Sequence, residues 1–150
     1  METLFEPARV EEVLLRVRQL QPESQRLWGS MKPEQMLAHC AGGLLMAMGE
    51  IRPLRVLIGR LIGAAIKRVA LRDEEPMRRN SPSVPELLIA DHRDFALERE
   101  RLCGLIGRFA TAGPSGCTTH PHPFFGRLIP QEWSVLMYKH LDHHLRQFGV

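Results

Sequence analysis

The sequence predicts an all-α fold, a four-helix bundle with one additional helix inserted between the second and third bundle helices. Apolar residues recur three and four positions apart in each strongly patterned segment, which is the spacing of an amphipathic helix. No pair of segments shows the two-residue alternation of half-buried strands. Residues typical of turns, mainly glycine and proline, gather between the helical segments. These features together favour helices packed on helices.

Length and composition predict one domain that spans residues 1–150. A chain of this size buries roughly 68–70% of the surface of its unfolded chain, so it needs neither disulfides nor a metal merely to fold. The hydrophobic content of 44% and the charged content of 25% are ordinary for a globular protein. Three cysteines without metal-ligand spacing indicate a reduced, cytoplasmic setting. Glu2 and Glu6 stand where a signal peptide carries basic residues.

The net charge of +3 is mildly basic, and the basic residues are dispersed along the chain. This pattern favours an anionic small molecule or surface as the partner and gives no support for nucleic-acid binding.

Two helices are predicted in the first third of the chain. Residues 8–20 place valine and leucine on one stripe among charged residues. The second helix begins near Pro33, where the missing N–H group costs nothing, and runs to about residue 49. Inside it, Gly42 and Gly43 each cost roughly 1 kcal/mol relative to alanine. We therefore expect a neighbouring helix or a ligand to approach this glycine pair closely.

Residues 53–71 form the additional helix. Arg55, Arg60, Lys67 and Arg68 lie there among aliphatic residues, and charges at this frequency argue against a membrane span. A basic amphipathic helix can lie on a membrane surface. We favour the alternative that this helix covers the core or forms the contact of a homodimer.

The second half of the chain supplies the remaining two bundle helices. Residues 73–85 are polar, contain three prolines and predict a loop. Residues 91–94 have the pattern of a helix cap, and the third bundle helix follows at 95–109. A loop rich in glycine and proline covers 112–130, and Pro130 begins the terminal helix.

The terminal helix, which includes residues 133–148, carries a histidine cluster. His140, His143 and His144 are three of the seven histidines in the chain. Side chains four positions apart lie one turn apart on one helix face, so His140 and His144 project side by side and can share a metal ion. His39 of the second helix is the candidate third ligand, because bundles build metal sites from inward-facing side chains on separate helices. Three imidazoles leave a fourth coordination position open, as in catalytic zinc sites.

Several neighbours of these histidines are further candidates. Gln35, one turn before His39, and His143 are candidate catalytic residues, Gln35 as a hydrogen-bond partner of a bound water and His143 as a group beside the ligands or towards solvent. Cys40 is rotated about 100° from His39 and is expected in the core. Asp142 points away from the histidine pair and is expected to be a surface charge.

Two loop segments also carry polar candidates. His120 and His122 lie in a loop that can cover the site, although histidines next to prolines often have a structural role. Arg79 and Asn80 either bind an anionic end of a substrate or remain solvated.

The C-terminal H-x-x-H-H followed by Gln147, together with the lone histidine of the second bundle helix, resembles the DinB/YfiT-like superfamily of small metal-binding four-helix bundles. Four longer motifs are similar to one uncharacterised branch of that superfamily. They are W-G-x-M-x-P-E-Q-M-L-A-H at 28–39, R-N-S-P at 79–82, H-P-F-F-G at 122–126 and Y-K-H-L-D-H-H-L-R-Q-F-G at 138–149. The resemblance implies that His39 is the lone ligand of the second helix and that His140 and His144 are the helical pair. Members of that superfamily usually carry Arg-Gly-Gln after the double histidine, where this chain has Leu-Arg-Gln.

The resemblance also implies a function. Related proteins use low-molecular-weight thiols, as S-transferases or as a thiol-dependent isomerase, so a metal-dependent thiol S-transferase acting on a small molecule is the first expectation. A metal-dependent hydrolase is the second, and a non-catalytic metal- or ligand-binding stress-response protein is the third. The expected metal is zinc, with nickel or iron as alternatives, because imidazoles suit all three.

Overall fold

The computed structural model describes residues 2–72 and 76–150, and these residues form helices and no strand. This confirms the predicted all-α fold class. The described residues contain five α-helices: α1 (Pro7–Gln19), α2 (Pro33–Ala47), α3 (Leu57–Arg72), α4 (Phe95–Ala112) and α5 (Pro130–Gln147). Short 3₁₀ turns occupy Pro85–Leu87 and Gly113–Gly116. None of the described helices combines the length and the hydropathy that crossing a bilayer requires.

Four of the helices form the bundle, and α3 is the additional one. Both α1 and α2 pack against α4 and α5, whereas α1 does not contact α2 and α4 does not contact α5 within the described part of the chain. The order around the bundle is therefore α1, α4, α2, α5, with α1 diagonally opposite α2 and α4 diagonally opposite α5. Helix α3 packs against α5 outside this ring, as expected for a helix inserted between the second and third bundle helices.

The core lies between the four bundle helices. Val13 and Val17 of α1, Ile106 and Phe109 of α4 and Trp133 of α5 are all fully buried. Burying an aliphatic or aromatic side chain of this size contributes about 1.5–3 kcal/mol, so this core is the main source of stability. Helix α2 is buried on nearly every face, because it also supports the 3₁₀ turn at Pro85–Leu87.

Helix boundaries follow the predicted segments, with one clear difference at α3. Proline begins α2 and α5 as expected, and Pro7 begins α1, one residue before the predicted start. The Asp94 carboxylate caps α4 by accepting the Leu97 N–H at 2.9 Å. Helix α3 begins at Leu57, four residues later than predicted. The reason is tertiary, because the Val56 N–H donates to the Pro123 carbonyl at 3.2 Å and holds the preceding residues against the 122–126 turn. The predicted loop 73–85 begins outside the described residues.

Asp142 corrects one expectation. It points away from the histidine pair, as predicted, but it is buried and not a surface charge. Helix α1 covers that face of α5, and the Arg16 guanidinium donates to the Asp142 carboxylate at 2.8 Å. Arg146, one turn along α5, pairs with the same carboxylate at 2.8 Å.

Candidate functional site

Three histidines meet between α2 and α5. His39 comes from α2, and His140 and His144 come from successive turns of α5. Their ring centroids lie 4.7 to 4.8 Å apart, and one ring nitrogen from each lies within 4.8 Å of the others. The Nε2 atoms of His39 and His140 are 2.9 Å apart. The helical spacing thus places the α5 pair on one face, and bundle packing brings His39 to it.

In two of these rings, Nδ1 is hydrogen-bonded to an oxygen atom outside the cluster. His39 Nδ1 lies 2.7 Å from the Leu87 carbonyl oxygen, and His144 Nδ1 lies 2.9 Å from Gln147 Oε1. The Gln147 amide is itself oriented, because its NH₂ group donates to the Trp28 carbonyl at 2.8 Å. A carbonyl oxygen only accepts, so both Nδ1 atoms carry the proton. Each Nε2 atom therefore offers a lone pair towards the cluster.

His140 is positioned by packing. Its Nδ1 is buried and has no hydrogen-bond partner among the described residues. The ring lies directly on Gly43, where an added Cβ would come within 3.2 Å of both Nδ1 and Cε1. The neighbouring Gly42 faces Leu87, whose Cδ2 atom would lie 2.7 Å from a Cβ. This confirms the close approach predicted for the glycine pair. One of the two close neighbours is the imidazole ring of His140.

Burial keeps the three rings neutral. It lowers the pKa of His144 to about 3 and the pKa of His39 below its ordinary value. The pKa of His140 falls well below 6.5, first through burial and then through the neighbouring imidazoles. At neutral pH all three rings are therefore unprotonated at one nitrogen, which is the state that metal ligation requires.

A cavity of about 790 Å³ opens beside the cluster. His39 and His140 form part of its wall, and most of the remaining wall is apolar. The apolar wall residues include Met46, Ile62, Ile66, Phe124 and Leu136. They come from the bundle, from α3 and from the 122–125 segment, and residues between 76 and 87 also line the cavity. The cavity therefore exists because α3 and these two segments close over the bundle.

The family comparison covers almost the whole chain. Residues 5–149 match the sequence model of a family described as Protein of unknown function (DUF1569). The chain belongs to the DUF1569 family. The match spans the described helices, including all three clustered histidines. Neither a curated protein nor a solved structure matches the chain.

In this DUF1569 chain, His122 has a structural role and also faces the cavity. Its buried Nδ1 accepts the backbone N–H groups of Phe124 and Phe125, each at 3.2 Å. Burial lowers the pKa of His122 to about 4. Because Nδ1 is the acceptor, the proton of the neutral ring sits on Nε2. His122 therefore holds the turn that closes the cavity, and the residue itself lines the cavity.

The two candidate catalytic residues are placed differently from the cluster. The Gln35 amide accepts the Lys32 N–H at 3.0 Å and donates to the Asp91 carbonyl at 3.2 Å, so it secures the start of α2 and does not line the cavity. His143 is buried against the His144 ring, with centroids 4.9 Å apart. Its Nδ1 lies 3.1 Å from the Met77 carbonyl oxygen and tethers the segment that walls the cavity.

The remaining polar candidates from the sequence are Cys40, Arg79, Asn80 and His120. Cys40 is buried in the core, as expected. The Arg79 guanidinium stacks on the Trp28 ring at 4.0 Å, while the adjacent Asn80 turns the chain at a φ of 55°. His120 lies 3.4 Å from the Pro53 carbonyl oxygen.

Gln147 is the hydrogen-bonded neighbour of the cluster that sequence reasoning missed. It stood in the terminal motif without an assigned role, although it lies three positions after His144 and hence on the same helix face.

Proposed function

We propose that His39, His140 and His144 hold one divalent metal ion, and that the centre serves a metal-dependent enzyme. The observation that supports this is the convergence of three neutral imidazole nitrogens at the wall of an apolar cavity. Zinc–nitrogen bonds of about 2.0–2.1 Å at tetrahedral angles place ligand nitrogens roughly 3.3 Å apart. The observed spacings, from 2.9 Å up to 4.8 Å, bracket that value. Small side-chain adjustments would therefore suffice.

The surroundings of the rings fit ligation. Metal-ligating histidines generally donate their other N–H to a carbonyl or carboxylate, which fixes the ring and the tautomer. His39 and His144 do so towards Leu87 and Gln147. Nitrogen donors of this kind suit zinc, which we propose as the metal, and nickel and iron are the alternatives that elemental analysis distinguishes.

We propose that no fourth side chain closes the site. His143 lies beside the cluster but directs Nδ1 to the Met77 carbonyl, and His122 uses Nδ1 to hold its own turn. An open position beside a cavity is the arrangement of a catalytic centre, whereas a structural zinc site has four protein ligands. This favours an enzyme over a protein that only stores or displays metal.

A metal ion held here would supply Lewis acidity, lowering the pKa of a bound thiol or water so that its anion is available near neutral pH. The chain's own residues would do the rest. The apolar wall excludes water and holds the apolar part of a substrate. The Nε2–H group of His122 donates to a polar substrate atom. Arg78 and Lys139, which also line the cavity, would attract a negatively charged end.

Among possible reactions, we propose a thiol-dependent S-transferase. The lone histidine on the second bundle helix and the pair on the last one support placing the chain with the DinB/YfiT-like proteins that it resembles, and those proteins use small thiols. In such a transfer the thiol sulfur bonds to an electrophilic carbon, the leaving group departs with the electron pair, and the thiol proton passes to solvent. Apolar walls suit the electrophile, and the cationic side chains suit a carboxylate-bearing thiol.

The metal assignment is tested by elemental analysis of the purified protein. The wild type should retain close to one equivalent, and His39→Ala, His140→Ala and His144→Ala should each lose it, because two imidazoles bind far more weakly than three. His143→Ala is the matched control, a buried neighbour outside the set of three, and should retain metal. Metal in all three single variants, or its loss only in the control, would contradict the assignment.

The reaction class is tested by a separate assay. Zinc-loaded protein is incubated with a panel of low-molecular-weight thiols and an activated aryl halide, and conjugates are measured by mass spectrometry. Thiol-dependent conjugation that disappears in His144→Ala supports the transferase. Hydrolysis of ester substrates without any thiol requirement would replace it with the hydrolase, and retained metal with neither activity would favour a binding protein.

A further inference from the structure

Helix α3 presents an apolar strip to solvent. Leu57 and Leu61 of this helix are 75% and 78% exposed, and Leu54 and Ile58 beside them are also exposed. We call these four residues the outer strip. At 100° per residue, the three strip residues inside α3 lie next to Ile62 and Ile66, which line the cavity. The apolar surface of α3 is therefore continuous from the outside of the protein to the cavity wall.

The exposure of the outer strip is built into the fold, because the opposite face of α3 is firmly packed. A Cβ at Gly59 would lie 2.6 Å from the Phe124 carbonyl oxygen, and at Gly63 it would clash with the same atom. Only glycine permits this contact. Lys67 adds an ion pair to Glu132 of α5 at 2.9 Å. The helix thus cannot rotate to bury the strip without losing these contacts.

The segment that carries the outer strip is rich in basic residues. Residues 51–71 contain five basic residues and no acidic one. Three of them, Arg52, Arg60 and Arg68, are exposed and form no ion pair within the described part of the chain, and Arg60 and Arg68 lie on α3 itself. An apolar strip flanked by cations is the pattern of helices that lie in the interface of anionic bilayers.

We propose that the outer face of α3 docks on an anionic lipid membrane, with the apolar strip entering the boundary between headgroups and acyl chains. The charge decides against a second copy as the occupant, because pairing two α3 helices would bring like charges together. The acidic residues that flank this segment are Glu50, which pairs with Arg108, and Asp73 to Glu75, which lie outside the described residues. Docking in this orientation holds the cavity next to lipid. The proposal does not depend on metal binding or on the reaction.

Vesicle sedimentation tests the proposal with the full chain. Wild-type protein should sediment with phosphatidylcholine vesicles that contain phosphatidylserine and much less with phosphatidylcholine alone. Leu57→Gln/Leu61→Gln should abolish binding by removing the insertion. Arg60→Gln/Arg68→Gln should weaken binding by about 25-fold, because each charge near an anionic surface contributes about fivefold.

The matched control is Leu15→Gln/Leu97→Gln, which changes two leucines on α1 and α4 that are 54% and 71% exposed. This variant should bind vesicles like the wild type. Absence of wild-type binding to anionic vesicles, or an equal loss in the control, would overturn the proposal. So would a dimer, seen by sedimentation equilibrium, that the α3 leucine variant separates while vesicles bind neither protein. Metal content measured on the same variants keeps this result separate from the metal assignment.

Discussion

The buried His122 should make the metal-free protein lose stability in mild acid. The pKa of this ring is about 4 in the folded chain, against 6.5 when it is free of the fold. Below pH 6.5 the unfolded chain takes up a proton and the folded chain does not, so the free energy of unfolding falls as the pH drops. At a pH about one unit below the unfolded pKa, this single group lowers stability by ~1.4 kcal/mol.

His122→Asn isolates that contribution. The asparagine side-chain oxygen can take the place of Nδ1 as acceptor for the Phe124 and Phe125 N–H groups, and it does not titrate in this range. Urea unfolding is measured with a chelator present at about pH 7.5 and about pH 5.5, and the change between the two should be ~1.4 kcal/mol smaller in the variant. The clustered histidines also contribute to the acid loss, and they are present in both proteins; His122 is only the last of the causes that lower the pKa of His140.

The matched control is His92→Asn, which changes an exposed histidine in the loop before α4. It should keep the acid sensitivity of the wild type. An equal loss of stability at both pH values would show only that asparagine is a poorer acceptor than the imidazole, and it would not bear on the pKa of His122. If His122→Asn loses as much stability between the two pH values as the wild type, the ring is not the neutral buried group described here.

Further variants test two supports of the site, Gly43 and Gln147, and one buried ion pair outside it. Gly43→Ala should weaken metal binding, because the new methyl group displaces the His140 ring that Gly43 faces. The control is Gly104→Ala on α4, where a Cβ meets open space. This control should gain up to ~1 kcal/mol of stability in urea unfolding and keep its metal affinity. Gln147→Leu should lower metal affinity about 10–100-fold in competition titrations by removing the acceptor for His144, and Gln147→Glu should lower it less; equal losses would contradict the role of the acceptor. Asp142→Ala should cost ~2–3 kcal/mol in urea unfolding while metal content stays unchanged, because it breaks a buried ion pair remote from the cluster.

The bundle and the histidine pair were accessible from sequence because both depend on local geometry. Helical periodicity is a property of neighbouring residues, so α1, α2, α4 and α5 were predicted close to their observed bounds. The side-by-side placement of His140 and His144 follows from the helix itself. The glycine pair of α2 even predicted a tertiary contact, because glycine lowers helix stability and a close neighbour explains why it is tolerated there. The identity of that neighbour could not be predicted from the residues around the glycines.

The remaining features were decided by which elements pack together. Asp142 became a buried ion-pair partner because α1 covers that face of α5. The Gln35 side chain accepts a backbone N–H at the start of α2. Gln147 supports His144 because the Trp28 carbonyl fixes its amide. The cavity and the outward strip of α3 arise together, since packing two α3 glycines on Phe124 commits one helix face to the cavity and leaves the other outside. Local sequence determined the helices and their stripes, whereas long-range packing determined what each stripe faces, because that depends on residues far apart in the chain.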